Sequence, residues 1–137
     1  MYENIAVPVD LAHAEKLEKA LKITGDLAKL YSSKVFLLAV STSAANEISH
    51  DPEEFKSRLD AFAETKAKEF GVEFVGVAVP CTDPSADMDH VLNHWLHDNP
   101  IDLVVMASHV PSFKDHFFHP HGSYLTSHTD KSIMLVR

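Results

Sequence analysis

Two stretches of the chain are apolar without alternation, Val35-Phe36-Leu37-Leu38-Ala39-Val40 and Leu103-Val104-Val105-Met106. A strand with one wet face alternates apolar and polar residues, so unbroken runs point to strands covered on both faces, as in a parallel sheet. Three shorter β-rich runs, Ile5 to Val9, Phe74 to Val79 and Ile133 to Val136, complete a set of five. Longer segments of helical period lie between them. Leu17, Leu21, Thr24, Ala28 and Tyr31 share one face of a first helix. Asp51-Pro52 starts a second, with Asp51 as N-cap, an apolar stripe of Phe55, Leu59, Phe62 and Phe70, and Gly71 as the stop. Asp83-Pro84 repeats the same start for a third helix, which Asn99-Pro100 ends because proline disfavours helix at the residue before it. Ser41 to His50 is polar and aperiodic, Ala107 to His121 is irregular, and a short helix is expected from Gly122 to about Thr129. Strands alternating with helices of this length predict a single-domain α/β fold over residues 1–137, an open parallel sheet with helices on both faces.

Composition narrows the function classes. The chain carries 20 Asp and Glu against 12 Lys and Arg, with no basic cluster. Affinity for nucleic acid rests on neutralising phosphates, so this balance argues against a duplex binder. No apolar run approaches the ~18 residues of a membrane span, and Met1 to Asn4 lacks the basic start of a signal peptide. The single cysteine, Cys81, rules out an internal disulfide and fits a reducing compartment. A soluble, cytoplasmic protein is the expectation. Ten histidines are the unusual entry in this composition.

Open parallel sheets bind ligands beyond the carboxyl ends of their strands, where the strand order switches. That rule selects Pro8-Val9-Asp10, Ala39-Val40 and Met106-Ala107-Ser108-His109. Asp10 could hold a ribose hydroxyl or a metal, or simply cap the helix that follows. Gly122-Ser123, opening the last helix, offers free N–H groups and a hydroxyl to an anion, or is an ordinary helix start.

These residues, with Asp83-Pro84, the run Asp102 to His109 and the terminal Ile133-Met134-Leu135-Val136-Arg137, resemble the universal stress protein family from end to end. The resemblance implies a sheet in order 3-2-1-4-5, a homodimer formed by pairing the last strands, and for many members an ATP or AMP site. Carried over by position, the site would comprise Pro8, Val9, Asp10, Ala39, Val40, Met106, Ala107, Ser108, His109, Val110, Gly122, Ser123 and Tyr124. Asp10 would face the ribose or the metal–phosphate region, with Mg²⁺ accompanying ATP. Val40 would face the adenine, and Gly122, Ser123 and Tyr124 the phosphates. The chain departs from the family pattern G-x-x-G-x9-G-[S/T] at Ala107 and Val110, and eleven residues rather than nine precede Gly122. Val110 is the larger change, because a β-branched residue resists the positive φ that glycine permits.

His90, His94 and His97 recur at i, i+4 and i+7 of the third helix, opposite Met88, Val91, Leu92, Trp95 and Leu96. They are expected on the solvent face beside Asp87, either as plain surface residues or as ligands for Zn²⁺ or Ni²⁺. His109, His116, His119 and His121 fall where the family's triphosphate would sit, and could bond phosphate or belong to a surface loop. Catalysis has little support. Neither Ser108 nor Ser123 sits in a Gly-x-Ser-x-Gly elbow, and no basic group close in sequence would activate Cys81.

The leading expectation is a stress-type regulatory protein binding ATP or AMP. Two alternatives stay open: a dimeric interaction module of the same family without nucleotide, and a very slow nucleotide hydrolase using Asp10 and a loop histidine around Mg²⁺. A homodimer through 133–136 would cover an edge strand that otherwise presents an unpaired ladder.

Overall fold

The computed structural model describes residues 1–41, 51–111, 113 and 128–137. Its strands are β1 (Asn4–Pro8), β2 (Lys34–Ser41), β3 (Phe74–Pro80), β4 (Leu103–Ala107) and β5 (Ser132–Val136). The helices are α1 (Glu18–Tyr31), α2 (Pro52–Phe70) and α3 (Pro84–Asp98), with a 3-10 segment over Leu11–Leu17 ahead of α1. All strands pair in parallel, in the order β3-β2-β1-β4-β5, as the resemblance implied.

Local chemistry explains most boundaries. Asp51 Oδ1 accepts the N–H of Glu54 at 2.7 Å, Pro52 occupies the first turn, and Gly71 closes α2 at φ 69°. The left-handed conformation there is what glycine supplies without Cβ strain. Pro84 opens α3 as expected. Asn99 leaves the helix in an extended conformation before Pro100.

The first helix lies where its apolar face predicts it, and ahead of it the chain already coils from Leu11. Asp10 Oδ1 accepts the N–H of Ala12 at 3.0 Å, and His13 (φ −127°, ψ 38°) kinks the segment before α1 takes over. Asp102, expected to open the fourth strand, lies just outside it. Its Oδ2 accepts the N–H groups of Glu3 and Asn4, both at 2.9 Å, and pins the start of β1. The connection expected over 41–50, apart from Ser41, and the helix expected from Gly122, apart from 128–129, lie outside the described residues.

Side chains alternate across the strands and so assign the two faces. Gly76 of β3 meets Leu59 of α2, which puts α2 on one face with α1 beside it. Phe36, one residue out of phase with Leu37 opposite Gly76, contacts Trp95 of α3 at 6.1 Å between ring centroids. α3 therefore covers the other face. Val104, Val105 and Met106 have no exposed surface, in keeping with the unbroken apolar run. β5 is an edge strand, with Ile133 and Met134 half-buried and Leu135 exposed.

Candidate functional site at the carboxyl ends of β1, β2 and β4

Strand register brings the candidate residues to one level. Pro8 pairs with Leu38, and Ile5 with Leu103. Counting both registers on past the last pairs, Pro8–Leu38 and Ala6–Val104, puts Asp10, Val40 and Ser108 at one level, beside the switch point between β1 and β4. One backbone bond continues the β1–β2 ladder towards this level, Val9 N–H to Leu38 O at 2.8 Å, while Ser108 N–H bonds Val136 O of β5 at 2.9 Å.

Burial then separates floor from contact surface. Pro8, Val9, Ala39, Met106, Ala107 and Val110 are buried and shape the floor. Asp10, Val40 and Ser108 are half-buried, and His109 is exposed. Gly122, Ser123 and Tyr124 lie outside the described residues, as do His116, His119 and His121. Val110 is a core residue, and its carbonyl accepts the N–H of Phe113, which is also buried.

Asp10 takes the capping role that the sequence allowed it. One oxygen caps the 3-10 segment, while the other lies 2.8 Å from Nδ1 of His13. His13 escaped the sequence reading, though its spacing three residues beyond an acidic strand end was a usable signal. Ser108 is the residue that stands out. Its Oγ is buried and has no hydrogen-bond partner among the described residues. Burying a hydroxyl without a partner costs on the order of 1–3 kcal/mol, so such atoms are rare in folded proteins.

His90, His94 and His97 are exposed on α3, as expected, while Leu92 and Leu96 are in the core. Among the described residues, no three His, Cys, Asp or Glu side chains come together as a metal cage. No helix among them is long and apolar enough to cross a membrane.

An open parallel sheet with polar groups gathered at its switch point places the chain among doubly wound α/β proteins. The chain matches the model of the universal stress protein family over residues 1–137, and it belongs to that family. It is 27% identical over 149 residues to universal stress protein G of Salmonella typhimurium, covering 100% of both chains. A universal stress protein of Archaeoglobus fulgidus in complex with dAMP has the same fold, with a TM-score of 0.65 and 14% identity. The match covers 99% of this chain and 98% of that one. A universal stress protein family member from Arabidopsis thaliana with AMP bound gives a TM-score of 0.62 and 18% identity, covering 98% and 90%.

Proposed function

We propose that this chain is a cytoplasmic regulatory protein of the stress-response type that binds AMP or ATP at the ends of β1, β2 and β4. The orphaned Oγ of Ser108 carries the reading. It sits at the level of Asp10 and Val40, where a polar ligand would give it the partner that the described residues do not supply. The dAMP and AMP complexes of the two structural relatives support the ligand class. In this reading the backbone ends of β1, β2 and β4 take adenine and ribose, and Asp10 takes a ribose hydroxyl or Mg²⁺ when ATP is bound. Gly122, Ser123 and Tyr124 are assigned to phosphate on sequence grounds alone.

A second reading, a homodimeric interaction module without nucleotide, draws on Val110. Its side chain is fully buried where the family pattern has a glycine whose backbone meets phosphate. Titration calorimetry with AMP and with ATP, with and without Mg²⁺, decides between the two. Saturable binding that Ser108→Ala weakens about tenfold, the value of one hydrogen bond to a polar ligand, supports the nucleotide reading. No binding of either nucleotide at millimolar concentration supports the interaction module.

A further inference from the structure

α3 carries a second feature that the nucleotide reading leaves unused. Between Lys68 and Lys114 the chain has no lysine or arginine, while Asp83, Asp87, Asp89 and Asp98 lie on or next to α3. The helix itself carries carboxylates and imidazoles but no lysine or arginine. His90, His94 and His97 stand on an open part of the surface. Together with Asp87 and Asp98 they line one groove of about 790 Å³, walled by Val79, Pro80 and Trp95. The groove shares no residue with the Asp10–Val40–Ser108 level.

One carboxylate, that of Asp98, is placed against a ring. Asp98 Oδ2 lies 3.2 Å from Nε2 of His94, and Asp89 Oδ1 lies 4.0 Å from Nε2 of His90. Metal-binding histidines characteristically direct their second ring nitrogen at a carboxylate, which fixes the tautomer and raises the basicity of the ligating nitrogen. With Nε2 of His94 turned to Asp98, Nδ1 is left as its ligating atom. Residues four apart on a helix have Cβ atoms about 5–6 Å apart, within the span that two imidazoles bridge through one cation.

We propose that His90 and His94 form a two-imidazole site for a divalent transition cation of the Zn²⁺, Ni²⁺ or Cu²⁺ class, with Asp98 orienting His94. Imidazole donors suit these ions, whereas Mg²⁺ and Ca²⁺ prefer oxygen. Two protein ligands leave the remaining coordination positions to water, in keeping with the lack of a three-residue cage among the described residues. His97, three residues beyond His94, borders the same groove.

The test is calorimetric titration of the untagged protein with ZnCl₂ and NiCl₂, with MgCl₂ as the contrasting ion. One Zn²⁺ per chain is expected, with Mg²⁺ giving no heat of binding. His94→Ala should weaken Zn²⁺ binding at least tenfold, and Asp98→Asn about ten- to a hundredfold, the usual effect of losing a supporting carboxylate. Both side chains are exposed, and a thermal melt without metal checks that each variant folds like the parent. The proposal is overturned if neither Zn²⁺ nor Ni²⁺ binds at hundred-micromolar concentration. It is equally overturned if a His90→Ala/His94→Ala double variant binds Zn²⁺ as tightly as the parent, which would place the site among the other histidines.

Discussion

Nδ1 of His13 lies 2.8 Å from Oδ2 of Asp10, while the other oxygen of the same carboxylate accepts the N–H of Ala12. The carboxylate that ends β1 thus shapes the turn leaving the sheet at the level proposed for the nucleotide. Asp10→Ala removes both contacts and should cost about 1 kcal/mol of stability, as for a lost helix cap. Asp10→Asn keeps an acceptor for Ala12 and should cost less. Urea denaturation of the two variants checks the order. Equal stability of Asp10→Ala and the parent would show that the cap carries no weight.

Ser108→Ala separates the cost of an orphaned hydroxyl from its use. Without ligand, the substitution removes a buried, unpaired oxygen and should leave stability unchanged or raise it by up to about 1 kcal/mol. A lower melting temperature would mean that the hydroxyl has a partner in solution, which would weaken the case for a ligand there.

Lys66 of α2 is almost fully buried, with only 8% of its side chain exposed. Its Nζ lies 2.9 Å from Glu18 Oε1 of α1 and 3.0 Å from Glu69 Oε2, and it approaches the rings of Phe62 and Phe70. Burial alone would lower its pKa, but the hydrogen bonds to Glu18 and Glu69, with their charges, outweigh burial and hold it above the ordinary 10.5. A pKa raised on folding contributes stability that is fully present below the unfolded value and is lost as pH rises through the folded value. Denaturation at stepped alkaline pH should therefore show a loss beginning above about pH 10.5 in the parent and absent from Lys66→Met. Near pH 7, Glu18→Gln/Glu69→Gln should destabilise more than Lys66→Met. The double variant strands a buried charge, whereas methionine replaces the charge with a buried chain of similar length.

Gly25 of α1 faces Phe70 of α2 so closely that a Cβ built on it would lie 2.8 Å from Cγ of that ring. Phe70 is itself tilted against Phe74 at 5.9 Å between centroids, and the atoms that would clash include its Cβ and Cγ, the root of the side chain. Gly25→Ala should destabilise despite the helix preference of alanine. Overpacking costs about 1–3 kcal/mol against a propensity gain of about 1 kcal/mol. A rise in melting temperature would show that the α1–α2 contact can open without penalty.

The proposed homodimer places β5 against its copy. Leu135, 40% exposed on that edge strand, is the position to probe. Leu135→Lys should shift light scattering from the dimer to the 15.2 kDa chain, because charge on a strand edge opposes further pairing. A parent protein that is already monomeric at micromolar concentration would remove the dimer from the proposal.

The layout of the sheet was legible in the residues because burial on both faces leaves a direct trace. Val35 to Val40 and Leu103 to Met106 have no polar alternation, and the Asp51-Pro52, Gly71 and Asn99-Pro100 signals act within a few residues of themselves. The solvent face of α3 was legible for the same reason, since a helical period is a local property. Tertiary structure alone decided what depends on register and on partners far apart in the chain. Asp10, Val40 and Ser108 reach one level only through the β1–β2 and β1–β4 ladders. Asp102 became the anchor for Glu3 and Asn4 only because β4 lies beside β1. Whether Val110 faced a ligand or the core, and whether Ser108 found a hydrogen-bond partner, turned on how the chain packs beyond β4, and no periodicity in the sequence encodes that.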